Sequence, residues 1–97
     1  MIASVSPEAD RELIESALFY AREGGAEVAL AFIAEYERVI ALLCTHPKLG
    51  APWGNNRRRF SLRKFSYSVV YYIRGDDLRV IALAHHRRKP GYWAPRA

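Results

Sequence analysis

The chain has 97 residues, of which 51% are hydrophobic and 26% are charged, a composition typical of a folded globular protein and not of a disordered or fibrous one. A chain of this length buries roughly 60 to 70% of its unfolded surface, which is enough for one core, so we expect a single domain over residues 1–97. The one cysteine, Cys44, excludes an intramolecular disulfide, and no apolar run approaches the roughly 18 residues that cross a bilayer, so we expect a cytoplasmic protein.

The net charge of +5 is distributed unevenly along the chain. Residues 1–56 carry four lysines and arginines against eight acidic residues, whereas residues 57–97 carry eleven against two, which gives net charges of −4 and +9. The second half is therefore the half expected to meet an anionic partner. Nucleic acid and an acidic protein segment fit this asymmetry equally well.

The first half predicts a short strand followed by two helices. The segment Ile2–Val5 is compatible with an edge strand. Ser6 is suited to cap a helix and Pro7 to occupy its first position, so a helix begins here and ends at Gly24 and Gly25.

A second helix is predicted from about Ala26 to Thr45, because Pro47 disfavours helical geometry in the residue before it. The short glycine connection makes the two helices an antiparallel hairpin. Apolar residues at spacings of three and four define the faces expected to meet the core. These residues are Ala9, Leu13, Ile14, Ala17, Leu18 and Ala21 in the first helix, and Val28, Ala29, Phe32, Ile33, Tyr36, Val39, Ile40 and Leu43 in the second.

The second half predicts a loop followed by three strands. Residues 46–56 are rich in Pro, Gly and Asn, and Trp53 within them is expected to be a lid on the edge of the core. Apolar residues then predict a strand ending in a bend near Phe65, a strand over 67–74, a turn at Gly75, and a last strand over Leu78–Ala84 that is buried on both faces. The predicted fold is α+β, with an N-terminal strand and an antiparallel helical hairpin packed on a three-stranded antiparallel sheet.

The histidines and the cysteine do not predict a metal site or a nucleophile. His85 and His86 are adjacent, and neighbours on a strand point to opposite faces, so the two rings would not converge on one ion. Cys44 falls in an apolar helical pattern and is expected to be a small core residue, and no third group can be placed to orient a base at His46. We expect no metal and no cofactor.

Cations interleaved with aromatic residues are the most informative feature of the second half. Carried on adjacent strands, such groups would form a surface that holds phosphates and stacks bases. A solvated strand face whose charges prevent edge-to-edge aggregation would also account for part of them. The residues are Arg57, Arg58, Arg59, Arg63, Lys64, Arg87, Arg88 and Lys89, together with Phe60, Tyr67, Tyr92 and Trp93.

An ordered set of short motifs over nearly the whole chain resembles the ParE/RelE superfamily of toxins from bacterial type II toxin-antitoxin systems, of the plasmid stabilisation type. No single motif is specific, but their order is. The matching residues are Ser6-Pro7-Glu8-Ala9, Phe32, His46-Pro47 with Gly50, Arg58-Arg59, Phe65-Ser66-Tyr67, Val70-Tyr71-Tyr72, and His86-Arg87-Arg88 with Pro90, Tyr92 and Trp93.

The resemblance implies the fold predicted above, a cognate antitoxin whose acidic or amphipathic C-terminal segment wraps the toxin, and a toxin-antitoxin hetero-oligomer. It also implies one of two targets. The RelE-like branch cleaves messenger RNA on the ribosome without a metal, as an mRNA interferase, whereas the ParE-like branch inhibits DNA gyrase. If the chain is an endoribonuclease, we expect catalysis by Arg59, Arg63, Arg87 and Tyr92. The resemblance places Arg59 and Arg87 at family arginines and Tyr92 or Trp93 at the aromatic position, whereas Arg63 is not at a family position.

Two positions that carry cations in the RelE-like pattern are serines here, Ser61 and Ser68. A hydroxyl cannot balance the charge of a phosphorane as a guanidinium does, and loss of one such donor costs on the order of a hundredfold or more in rate. Arg63 and Lys64 would have to substitute from a shifted register. We therefore favour gyrase inhibition over RNA cleavage.

An inactive binding module with the same fold is the third alternative, because a fold does not establish an activity. Whichever alternative holds, the residues expected to bind the target or the antitoxin are Arg58, Arg59, Arg63, Lys64, Arg87, Arg88, Tyr92 and Trp93.

Overall fold

The computed structural model describes residues 1–97, which form two helices and one five-stranded sheet. The elements are β1 (Ile2–Val5), α1 (Pro7–Gly24), α2 (Ala26–Thr45), β2 (Ala51–Pro52), β3 (Arg58–Ser61), β4 (Tyr67–Arg74) and β5 (Asp77–His85). The strand order is β1-β5-β4-β3-β2, with β1 parallel to β5 and the other pairs antiparallel. Neither helix is both long enough and apolar enough to cross a membrane.

The predicted fold class is confirmed, and the sheet is larger than predicted. β3, β4 and β5 form the expected antiparallel meander, and β1 joins it at one edge. The loop expected over 46–56 contains the two-residue strand β2, which pairs with Arg58 and Arg59 at the other edge. The first strand of the meander is shorter than predicted, because it ends at Ser61 and Phe65 lies in the bend that follows.

Ser6 joins the first helix to the sheet. Its hydroxyl accepts a hydrogen bond from the backbone N–H of Ala9 at 3.1 Å, which is the predicted N-cap, and it also contacts the carbonyl of Ile81 in β5 at 3.4 Å. Ser6 is 1% exposed, so this cap is buried against the sheet. The helix start therefore has a fixed position relative to β5.

The main core lies between the helical hairpin and one face of the sheet. The expected face of α2 is confirmed, whereas the expected face of α1 is partly wrong, since Ile14 and Leu18 are each 53% exposed. Tyr20, which the apolar spacing of α1 did not place on the buried face, packs against this core instead, and its ring centroid lies 5.0 Å from that of Phe32. Cys44, expected in the core, is only partly buried.

A second, smaller core covers the opposite face of the sheet. Here the segment after β5 folds back so that Trp93 packs against Val70 of β4 and Ile81 of β5. β5 is therefore buried on both faces, as predicted. Trp93 itself was expected on a binding surface; the structure places it in this core at 3% exposure. Trp53 lies against it edge to face, with ring centroids 4.9 Å apart, which agrees with its predicted role as a lid.

Glu12 of α1 holds the C-terminal segment in this position. Its carboxylate accepts hydrogen bonds from the hydroxyl of Tyr92 at 2.6 Å and from the guanidinium of Arg96 at 2.8 Å. It also accepts one from the backbone N–H of Leu83 at 3.1 Å. One carboxylate thus connects α1, β5 and the C-terminal segment.

Tyr71 anchors the loop that precedes β2. Its hydroxyl donates to the carbonyl of Pro47 at 2.7 Å and accepts from the N–H of Gly50 at 3.0 Å. A Cβ at position 50 would lie 2.6 Å from that hydroxyl and 2.9 Å from the Arg59 carbonyl, so only glycine fits there. This close approach brings the loop that carries Trp53 alongside β3.

Candidate functional site

The candidate site lies on the face of the sheet opposite the helices. Residues alternate along β3, so that Phe60 packs towards the helical core while Arg59 and Ser61 are exposed on the other side. The register pairs Ser61 with Ser68 of β4. The two serines found at RelE-like cationic positions are therefore direct cross-strand neighbours.

A chain of hydrogen bonds runs from these serines to His86. The hydroxyl oxygens of Ser61 and Ser68 are 3.2 Å apart, and the hydroxyl oxygen of Ser68 lies 2.9 Å from Nε2 of His86. The backbone N–H of His86 also donates to the carbonyl of Ser66 at 2.8 Å, which fixes the turn after β5. Ser68 of β4 therefore holds the imidazole, and Ser66 of the preceding bend holds the backbone of His86.

Arg59 is positioned by stacking. Its guanidinium carbon lies 4.0 Å from the centre of the Trp53 ring, a cation–π geometry that orients the planar group without using its N–H donors. Trp53 is in turn fixed by its edge-to-face contact with Trp93. The second core thus fixes the Trp53 ring on which the guanidinium of Arg59 stacks.

A cleft of about 110 Å³, here called the basic cleft, is lined by Arg59, Trp53, Ser68 and His86 together with residues of the C-terminal segment. Its cations have no acidic partner, because the two ion pairs of the chain join Arg38 to Glu35 and Arg96 to Glu12. The lining residues are Trp53, Arg59, Ser68, Ala84, His85, His86, Arg88, Lys89, Pro90, Tyr92 and Trp93.

Tyr92 lines the basic cleft with its ring, but its hydroxyl is turned towards α1. Burial, together with the hydrogen bond to Glu12, raises the pKa of Tyr92 well above its ordinary value, so the phenol stays neutral. The guanidinium of Arg88 covers the ring at 3.9 Å from its centre. The Tyr92 ring therefore supports the guanidinium of Arg88. Its hydroxyl already donates to Glu12, so it does not act as an acid in the basic cleft.

The four residues assigned to RNA cleavage do not converge. Arg59 and the Tyr92 ring line the basic cleft, whereas neither Arg63 nor Arg87 does. Arg63 lies in the bend after β3, where its backbone N–H donates to Glu35 of α2 at 2.7 Å. Its positive charge contributes, after Arg38, to lowering the pKa of Glu35, which places it on the side of the helices.

The remaining residues of the expected binding set are dispersed. The guanidinium of Arg58 donates to the carbonyls of Lys48 and Gly50 at 3.1 and 2.8 Å, so it anchors the loop before β2. Lys64 is exposed in the bend after β3, where its φ of 66° lies in the left-handed region. Arg88 belongs to the basic cleft and Arg87 is exposed in the turn beside it.

The two adjacent histidines contact opposite faces of β4, in agreement with the alternation expected of neighbours. His85 lies edge-on against Tyr67 with ring centroids 4.9 Å apart, whereas His86 contacts Ser68. Partial burial, followed by the charges of Arg87 and His86, lowers the pKa of His85. No group of three His, Cys, Asp or Glu side chains converges as metal ligands would.

Ser68 and His86 are within the distance expected of a nucleophile and its base, but the arrangement lacks the other parts of such a site. Ser68 is 4% exposed, and no carboxylate pairs with a histidine to orient it. The pair is therefore better suited to present hydrogen-bonding groups to a ligand than to attack one. In the sequence Ser61 and Ser68 are notable only as missing cations, and their cross-strand register reveals that they are in contact.

Comparison with known proteins identifies the relatives of this chain at the level of family and fold. The family described as the ParE toxin of the type II toxin-antitoxin system, parDE, matches residues 3–90. Among solved structures, a chain titled "Chromosomal ParDE TA system from P. aeruginosa" superposes with a TM-score of 0.78 at 17% identity, covering 88% of this chain and 95% of that chain. At that identity the likeness shows a shared fold. No curated protein matches the chain.

Proposed function

Because the chain belongs to the ParE toxin family of type II toxin-antitoxin systems, we propose that it arrests growth by inhibiting DNA gyrase and that a cognate antitoxin neutralises it. The family assignment confirms the prediction of a ParE-like toxin. The match covers residues 3–90 and so includes both helices, β2 to β5, and all of β1 except Ile2. The molecular target is the part that is proposed.

The pair Ser61 and Ser68 is the observation that favours gyrase over messenger RNA. RNA cleavage of the RelE-like type needs cations at these two positions to stabilise phosphorane charge. In this chain the hydroxyls of Ser61 and Ser68 occupy these positions and are hydrogen-bonded to each other, and Ser68 is also hydrogen-bonded to His86. Arg63, the cation that a shifted register would bring in, does not line the basic cleft, and its backbone N–H donates to Glu35 of α2 instead.

A toxin that inhibits by binding needs a surface of complementary charge, and the basic cleft supplies one. Unpaired cations on a rigid sheet face attract an anionic partner and raise its association rate. The same surface fits the acidic segment of an antitoxin, which would neutralise the toxin by occupying it in a hetero-oligomer. Since gyrase acts on the chromosome, the site of action is the bacterial cytoplasm.

The direct test is a gyrase supercoiling assay with purified toxin. We expect inhibition at about one toxin per gyrase, and we expect Arg59→Gln or Arg88→Gln to raise the inhibitory concentration about tenfold, because each removes a charge-assisted contact. Arg22→Gln is the matched control, since Arg22 is exposed on α1 outside the basic cleft. Its inhibitory concentration should equal that of the parent protein.

Two outcomes would contradict the proposal. Cleavage of ribosome-bound messenger RNA with supercoiling unaffected would favour the endoribonuclease. Absence of both activities, in protein whose thermal transition is intact, would favour the inactive binding module.

A further inference from the structure

We propose that the basic cleft binds one phosphodiester group of duplex DNA, so that the toxin grips the DNA carried by gyrase as well as the enzyme. In naming that DNA as the source of the phosphate, the proposal rests on the proposed function. Four features of the cleft support this proposal: its size, the donors around it, its unpaired cations and its covered aromatic rings.

The size of the cleft selects a small group. Sites for nucleotides and other small molecules are typically about 300 Å³ or larger, whereas this cleft is about 110 Å³. The cleft itself therefore accommodates one polar group of a larger ligand, and the rest of that ligand would lie over the adjoining open concavity of about 550 Å³, which shares Arg59, Ser68 and His86 with the cleft.

The donors around the cleft fit an oxyanion approached from several sides. Arg59 enters from β3, and Lys89 comes from the segment after β5. The imidazole of His86, hydrogen-bonded to Ser68, lines the same cleft. The guanidinium of Arg59 is held by stacking on Trp53, so its N–H groups remain free to bind oxygen.

The electrostatics favour an anion in this cleft. Neither ion pair of the chain involves Arg59, Arg88 or Lys89, so these like charges repel one another and no carboxylate pairs with them directly. A phosphodiester carries a negative charge at every physiological pH. Binding it would relieve the repulsion and release the counterions condensed on DNA.

The aromatic rings argue against an unpaired base as the ligand. Proteins that hold single strands stack successive bases on open aromatic faces. Here the face of Trp53 is covered by Arg59 and its neighbour Trp93 is buried, while the Tyr92 ring is covered by Arg88. The cleft thus offers phosphate contacts without a stacking platform, which suits the backbone of a duplex.

The two tryptophans make the cleft directly observable. The chain has only Trp53 and Trp93, and both line the cleft, so tryptophan emission reports its occupancy. The experiment titrates the purified chain with a short DNA duplex at several salt concentrations. We expect a saturable change in emission, whose midpoint moves to higher DNA concentration as salt rises.

Two substitutions make the test specific. Lys89→Gln should weaken DNA binding at least threefold and make the slope of log affinity against log salt shallower, because the phosphate in the cleft loses one of its cations. Arg59→Gln should do the same, although it also alters the surroundings of Trp53. Arg22→Gln on α1 should change neither quantity, and the thermal transition of each variant shows whether it is folded.

The outcomes separate this proposal from its alternatives. A saturable change with a short glutamate-rich peptide and none with DNA would overturn it in favour of an acidic protein segment. No change with either ligand, or identical DNA binding by Lys89→Gln and the parent, would also overturn it. If DNA binds as expected while supercoiling is not inhibited, the phosphate site stands and the gyrase assignment fails.

Discussion

The carboxylate of Glu12 should control both the stability of the fold and the position of the C-terminal segment. It accepts hydrogen bonds from Tyr92, Arg96 and the backbone N–H of Leu83 at 2.6, 2.8 and 3.1 Å. In Glu12→Gln one oxygen remains and the charge is lost. The guanidinium of Arg96 then keeps its position without a counter-charge.

The expected cost follows from the burial of this ion pair. Removing one partner of a fully buried pair costs about 3 to 5 kcal/mol, and a surface pair is worth roughly 0 to 1 kcal/mol. The two side chains are 18% and 15% exposed. We therefore expect Glu12→Gln to lower the free energy of unfolding by about 2 to 3 kcal/mol, a large part of the roughly 5 to 15 kcal/mol typical of a domain.

The assay is thermal unfolding followed by far-UV circular dichroism, with tryptophan emission reporting on the contacting pair Trp53 and Trp93. A loss of about 2 to 3 kcal/mol should lower the melting temperature by roughly 10 to 20 °C in a domain of this size. Tyr92→Phe removes one bond and leaves the ion pair, so its effect should be smaller, about 1 kcal/mol. Glu15→Gln, at an exposed position on the same helix, is the control and should change stability by less than about 0.5 kcal/mol.

A melting temperature of Glu12→Gln within a few degrees of that of Glu15→Gln would refute the stabilising role of the Glu12 carboxylate. Equal losses for Glu12→Gln and Tyr92→Phe would also refute it, since they would show that the ion pair with Arg96 adds nothing.

Two further predictions concern the main core. Gly50→Ala should lower the free energy of unfolding by about 1 to 3 kcal/mol in urea denaturation, because the added methyl would lie 2.6 Å from the Tyr71 hydroxyl and 2.9 Å from a backbone carbonyl; stability equal to the parent would contradict the close approach. Burial, followed by the charges of Asp10 and Glu37, raises the pKa of Tyr36 from its ordinary value near 10 to about 12. Between these pH values the unfolded chain loses the proton first, so stability present below pH 10 should fall by about 1.4 kcal/mol per pH unit for this group. Tyr36→Phe should remove that part of the alkaline loss and be neutral or stabilising at pH 7, because the buried hydroxyl has no hydrogen-bond partner; an unchanged alkaline midpoint would contradict this.

The parts of the fold that could be predicted are those that depend on residues close together in the sequence. Ser6 and Pro7 mark the start of α1, and the Gly24-Gly25 pair marks the connection that makes the hairpin. The alternation along residues 67–74 gives β4 with its bounds. The resemblance of scattered motifs to ParE/RelE toxins then indicated the family, which the match over residues 3–90 confirms.

The errors arise where distant residues decide the outcome. Spacing alone places Ile14 and Leu18 on the same stripe as Leu13 and Ala17, and only the contact with the sheet decides which part of the stripe is buried. Trp93 follows the basic residues Arg87, Arg88 and Lys89 in the sequence, which led to the expectation of an exposed position. It is buried because the segment after β5 folds back over an apolar sheet face.

The candidate site was predicted only in part for a related reason. Arg59 and Arg88 were expected in it and line the basic cleft, whereas the contribution of Ser68 and His86 depends on strand register. A one-residue change in register would turn Ser68 to the opposite face, and no local pattern fixes the register of β3 against β4. The role of Glu12 depends on a contact across 80 residues of sequence with Tyr92.

The most direct test of the central claim is controlled expression of the chain in a bacterial host, with DNA and protein synthesis followed by pulse labelling. The account predicts that growth stops with prompt arrest of DNA synthesis while translation continues, and that Arg59→Gln delays the arrest where Arg22→Gln does not. Prompt arrest of protein synthesis with DNA synthesis continuing would contradict it.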